Sequence, residues 1–367
     1  MTPSFRRCTR SRSIGTSQAR IRCRRSTTSS TFRSWDFKKM PNYSSKSHDK
    51  QTGLTMVELL VALAIGSFLM IGSLQIYNQS RQAFVVNESI ARVQETAQFA
   101  MDTIEADLRM ASNWGRNSRP LTVEGRSLMG TVNPNGLPEP ADCGQGWALD
   151  LAQTLDGENN AFTLPCAAIG GVQPNSDSFT VRRATVQPVP KPDAGNRLQI
   201  QTTRIQGQLF IGANIPPNFS PADSTTHNLL ISTYYVAADS ALIPGVPTLR
   251  RKTLGANVGG PIVIDQEIAP GVENIQIQFG IDVNEDNTVD RYVNPGDDVY
   301  DPNAAGYIPG ARVMTARIWL VVRGLTPEVG IVDTNNYMPG DVVLGVPGDS
   351  YRRMQVSKTI LMRNARI

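Results

Sequence analysis

The sequence predicts an α+β fold: one long N-terminal helix packed on an antiparallel β-sheet, with long loops. Three observations carry this. From Leu54 to Ile76 the chain is almost entirely apolar, enough for a helix to cross a bilayer. Apolar residues then recur at helical spacing as far as Ala111, and no Pro falls between Leu54 and Asn113. From Leu121 onward, β-branched and alternating runs are separated by Pro- and Gly-rich connections, the pattern of strands and loops. A helix with one apolar stripe, followed by strands, buries that stripe on a sheet.

The chain of 367 residues is long enough for one large or two ordinary domains. Its net charge of +4 conceals two opposed parts, because residues 1–53 hold 13 of the 36 Lys/Arg and only 2 of the 32 Asp/Glu. This basic leader is rich in Ser, Thr and Arg and has too few aliphatic residues to bury a core. Basic tails bind nucleic acid by neutralising phosphates. Placed just before a membrane span, however, positive charge holds its side in the cytoplasm, so no nucleic-acid partner is expected.

Residues 54–77 form the transmembrane half of the helix and residues 78–114 its amphipathic half. In the second half Val86, Ile90, Val93, Ala97, Met101, Ile104, Leu108 and Ala111 step by three and four, the period of one helix face. Glu88, Arg92, Glu95, Gln98, Asp102, Glu105 and Arg109 lie between them as the solvated side. Gly115 supplies a stop. The helix expected, from Leu54 to Asn113, is about 90 Å long at 1.5 Å per residue. A membrane-proximal coiled coil is the alternative, since the stripe approximates a heptad. The stripe stops where strand-like sequence begins.

One residue breaks the apolar span. Glu58 is ionisable, and an acid at mid-membrane costs roughly 2.5–3.5 kcal/mol on insertion scales, so it requires a partner or a task. It stands five residues after Gly53, which closes a polar leader. The arrangement Gly53, Leu54-Thr55, Val57-Glu58 resembles the class III leader-cleavage and methylation motif of type IV prepilins and type II secretion pseudopilins. The resemblance implies cleavage after Gly53 by a prepilin peptidase and methylation of Leu54 as the new N-terminus. It also implies that Glu58, at the fifth mature position, pairs with the terminal amine of a neighbouring subunit. Leu54 departs from the family's usual Phe but is apolar. A signal anchor with Glu58 near the interface is the bland alternative; a secretory signal fits worse, because its apolar core is shorter. Leaders of this family are much shorter than 53 residues, and Met40 is the expected true start.

Strands are expected at 178–183, 197–202, 208–211, 229–236, 248–252, 272–281, 313–322 and 354–362. Alternation is clearest at Ile275, Ile277 and Phe279, which fall on one face. Pro188–Ala194 and Ala213–Thr225 read as surface loops. The run from Gly271 to Asp282, the pairing of Tyr234-Tyr235-Val236 with Leu249-Arg250-Arg251, and the closing strand from Tyr351-Arg352-Arg353 to Arg363-Asn364 resemble the PilW family of minor pilins. That resemblance implies a single-pass inner-membrane protein whose C-terminal domain, residues 115–367, is periplasmic and later sits at the pilus tip. It implies partners as well: other minor pilins, the major pilin, the inner-membrane assembly platform and a tip adhesin. A minor pseudopilin of a type II secretion system shares motif, helix and sheet and remains open. So does a membrane-anchored enzyme or sensor using residues 120–367.

Cys8 and Cys23 precede the cleavage point, leaving Cys143 and Cys166 as an even pair in an oxidising compartment. A disulfide is expected; two buried thiols are the alternative. Asp282, Asn284, Asp286, Thr288 and Asp290 place oxygens at positions 1, 3, 5, 7 and 9 of a calcium loop. Asn287 stands at the usual Gly and Val293 at the usual Glu, so Asp297, Asp298 or water must complete a structural Ca²⁺ site. A hydrated acidic β-turn is the simpler reading. No other cofactor is expected. Sequence motifs for a nucleophile elbow, a zinc protease or a phosphate loop are absent, and the chain reads as a non-enzyme.

Overall fold

The computed structural model describes residues 53–133 and 136–365. The basic leader before Gly53, the Met40 start, and Cys8 and Cys23 lie outside the described residues. The chain divides into two units, residues 1–69 and 70–367. Helix α1 spans Met56–Arg109. It starts two residues later than expected, because Thr55 caps it: its Oγ1 accepts the Glu58 N–H at 3.3 Å. It ends early, because Met110 and Ala111 donate to carbonyls three residues back, at 3.1 Å each, and Ser112 turns left-handed at φ 61. Gly115 follows at φ 87, where a Cβ would come within 2.5 Å of the His227 ring. Only Gly fits there.

Two sheets follow, where one was expected. The first holds β1 (Val123–Glu124), β2 (Leu155–Glu158), β3 (Ser178–Ala184), β4 (Gln199–Thr202), β5 (Gly207–Phe210), β6 (Thr225–Ala237), β7 (Thr248–Asn257) and β8 (Gly260–Pro270). Its main path is β1-β5-β4-β6-β3-β2, with β7 on β6 and β8 on β7. The short β1–β5 pair is parallel and the other pairs are antiparallel. The second sheet is antiparallel, in the order β10-β9-β11-β12, with β9 (Val272–Asp282), β10 (Arg291–Val293), β11 (Arg312–Arg323) and β12 (Arg353–Leu361). Gly271 is the joint between them. At φ 94 it redirects the chain from β8 into β9, and a Cβ there would lie 2.7 Å from the Arg323 carbonyl oxygen.

The core explains the stripe. Val93, Ala97, Met101, Ile104, Leu108 and Ala111 of α1 form one cluster with Phe179, Tyr234 and Leu249 of the first sheet and Ile275, Ile277, Ile318 and Leu320 of the second. Each large side chain so buried contributes about 1.5–3 kcal/mol. Residues 229 and 231 of β6 face the other way, into a second cluster with Trp114, Trp147, Leu149 and both described cysteines. Period-two alternation along β6 thus serves two cores.

Asp177, just before β3, ties the two sheets. Its carboxylate accepts the N–H of Asn160 and the N–H of Ile277 in β9, both at 2.8 Å. Burial pushes this carboxyl up to about 7, against the pull of those two donors. With both oxygens committed to backbone, it is a structural group.

Candidate functional site

Gly53, Leu54 and Glu58 stand together at the start of α1. Gly53 is exposed, with nothing within 4 Å of where a Cβ would project. Leu54 is 73% exposed, and so, to a similar degree, are Met56, Phe68 and Met70. Helix α1 is the one helix among the described residues long and apolar enough to cross a membrane. The sequence Thr55-Met56-Val57-Glu58 also has the form of a capping box, a signal that sequence reasoning passed over. The helix N-terminus favours a carboxylate at this position through its dipole.

Further along, α1 is fixed to the first sheet by a charge on its apolar stripe. Asp107 is buried, with Oδ1 receiving Arg183 Nη2 at 2.6 Å and Oδ2 receiving the Tyr234 hydroxyl at 2.7 Å. Burial, and then Asp107 itself, push the Tyr234 phenol up. A carboxylate between Ile104 and Leu108 was the legible signal for this contact.

Cys143 and Cys166 are joined, with S–S 2.08 Å. The bridged segment carries Trp147, Leu149 and Leu151 into the second core cluster, so it is a built lid on the outer face of β6. Trp147 Nε1 donates to Thr233 Oγ1 at 3.0 Å, and the buried Arg182 donates to the carbonyls of Trp147 and Gln153. Closing a loop of 23 residues' separation is worth about 3 kcal/mol in the chain-entropy model. The double variant Cys143→Ala/Cys166→Ala should lose about that much in urea unfolding, while non-reduced wild type yields one linked peptide pair on digestion. Two free thiols in the mature protein would contradict this.

The acidic turn comes together as a unit, held by its own hydrogen bonds and by one arginine. Asp282 is fully buried, accepts the backbone N–H groups of Asn284 and Asn287, and pairs with Arg312 at 3.1 Å. Asp286 accepts from Thr288, and Asp290 from Val283 N and Asn284 Nδ2. The Arg312 guanidinium neutralises Asp282, and oxygens of Asp286 and Asp290 accept hydrogen bonds within the turn itself. Burial pushes the Asp282 carboxyl up, but the Asn287 N–H and Arg312 outweigh it and hold it below the ordinary range. Among the described residues no group of three or more His, Cys, Asp or Glu side chains is placed to hold a metal.

A cavity of about 350 Å³ opens beyond the end of α1, lined by Leu155, Tyr300, Tyr307, Met362 and Arg119 among others. Its Ser112 hydroxyl donates to the Ser118 carbonyl at 3.0 Å. Among the described residues no His, Asp or Glu side chain is hydrogen-bonded to that serine.

Comparison with known families agrees with this geometry. Residues 233–364, from β6 through β12, match the profile "Type IV Pilus-assembly protein W", and residues 48–74 match the "Prokaryotic N-terminal methylation motif". No curated protein and no solved structure matches the chain. Over these two stretches the chain is similar to type IV pilus-associated, pilin-like proteins. The resemblance read from the N-terminal motif and from strands β6, β7, β9 and β12 is the one these two profiles find.

Proposed function

We propose that the chain is a minor type IV pilin of the PilW kind, working by binding and not by turnover. It is made as an inner-membrane precursor with its C-terminal domain in the periplasm, cut between Gly53 and Leu54, and methylated at Leu54. It then joins other minor pilins on the assembly platform, primes growth of the major pilin, and stays near the tip with an adhesin. The observation that carries this is the union, in one chain, of a methylation motif at the head of an apolar helix with a pilus-assembly domain. Glu58 neutralises a neighbour's N-terminal amine, since an unpaired charge in a low-dielectric bundle is expensive.

Deleting the gene tests the reading. Surface pili should fall at least tenfold, with protein secretion unchanged. Lost secretion with normal piliation would assign the chain to a secretion pseudopilus instead.

A further inference from the structure

Strand β12 is the outer strand of the second sheet, paired with β11 through nine residues in unbroken register. Among the described residues, no strand pairs with its other side. Met362 N donates to Met314 O at 3.0 Å. The alternation of an antiparallel ladder therefore turns the N–H and C=O groups of Gln355, Ser357, Thr359 and Leu361 outward. Natural sheets guard such edges with proline, charge or a bulge. Strand β8, at the margin of the first sheet, is guarded in this way: it carries Pro261, Pro270, Asp265 and Glu267 and shifts register opposite Leu249 and Arg250. From Gln355 to Leu361 the outward residues of β12 carry no Pro, charge or bulge, and the strand's two charged residues, Arg353 and Lys358, are already paired with Glu273 and Glu105.

The core beneath this edge is also unfinished. Ile277, Ile318 and Leu320, on the inner face of β9 and β11, are buried to 1% or less. Val356, opposite Leu320, and Met354, opposite Val322, are only half-buried although they pack on the same cluster. One more strand would cover them.

The β12 strand of a second copy does not fit as that strand. Strand β12 runs beside α1 in the same direction: Gly324, bonded to Arg352, faces Val93, then Lys358 pairs with Glu105, and Arg363 N donates to Arg109 O. Antiparallel pairing of two β12 strands about a two-fold axis would reverse one α1 relative to the other. The α1 segments of residues 70–109 would then run in opposite directions, which anchoring in one membrane with one orientation forbids.

We propose that β12 is an acceptor edge for an extended, uncharged segment of a different protein. That segment adds a strand to the second sheet and lays apolar side chains at alternate positions over Met354 and Val356. The inference rests on the pilin reading, because it takes α1 as the membrane anchor.

The test compares backbone amide exchange in the full-length protein alone in detergent with the protein co-isolated from cells with its pilin-like partners. Amides of Gln355, Ser357, Thr359 and Leu361 should exchange at least tenfold more slowly in the assembly. Ser357→Pro removes one outward donor and leaves the β11 ladder intact. It should melt like wild type and lose its partners at least tenfold, while Val258→Asp, at the exposed β7–β8 turn, keeps them. If Ser357→Pro misfolds, exchange in the wild type decides alone. Partners that co-isolate while β12 exchanges unchanged would overturn the inference and leave the pilin reading standing. Concentration-dependent protection in the isolated protein would overturn it in favour of a second copy. Absence of any pilin-like partner from the wild-type isolate would overturn the pilin reading, and the inference with it.

Discussion

Gly53→Arg should leave the chain entirely as its uncleaved precursor. The substitution meets no steric conflict at its Cβ, because among the described residues nothing lies within 4 Å of where that atom would project. Any loss of processing therefore reports the fit of the cleavage site to the peptidase. A site formed around a residue without a side chain should lose about a hundredfold or more in cleavage rate, on the order of 3 kcal/mol in the transition state. Immunoblots of the two strains would show precursor only in the variant. A normal mature band would remove the cleavage assignment, and with it the methylation of Leu54.

Arg353→Met should cost about 2–3 kcal/mol of stability, below most of the range for breaking a fully buried ion pair, because Glu273 and Asp349 are partly exposed and screened by solvent. The guanidinium is 3% exposed and meets Glu273 at 2.5 Å, Asp349 at 2.6 Å and Asp333 at 3.4 Å. Methionine fills much of the stem's volume but leaves Asp333, itself buried, without its cation. Arg353 opens β12 and anchors both ends of the long connection from β11, so the loss should spread through the second sheet. Chemical unfolding of the full-length protein in detergent measures it; a change below 1 kcal/mol would show the cluster to be marginal. Hydrogen bonds from Arg353 hold the Asp349 carboxyl down to about 2. Its share of the stabilisation is present above about pH 4, the unfolded carboxylate range, and is lost as pH falls through 2.

The helix was legible because its signals are local. An apolar run, a stripe at steps of three and four, and the absence of Pro each act within a few residues. The long strands β3, β6, β9, β11 and β12 were legible for the same reason, since alternation such as Ile275, Ile277, Phe279 needs no partner to be seen. Strand β8 was not. Its acids and terminal prolines argue against a strand until Lys252 and Arg250 of β7 are placed opposite Asp265 and Glu267. The division into two sheets was hidden as well, because it depends on Gly271 meeting Arg323, 52 residues away in sequence. In the acidic turn the spacing of oxygens suggested a metal, and what it could not show was Arg312, beyond the motif, paired with Asp282. Glu58 has two local roles at once, as an acid in an apolar span and as the third residue after a threonine cap. Only a partner can separate them.

The Glu58→Gln variant makes that separation. Glutamine satisfies a capping box as glutamate does but carries no charge, whereas Glu58→Ala loses both properties. The measurement is co-isolation of partner minor pilins, with a count of surface pili, in strains carrying each variant at wild-type levels of mature protein. The ion-pair account predicts that Gln and Ala fail alike, each with at least a tenfold loss of assembled partners and of pili. Gln assembling like wild type, whether or not Ala does, would contradict it.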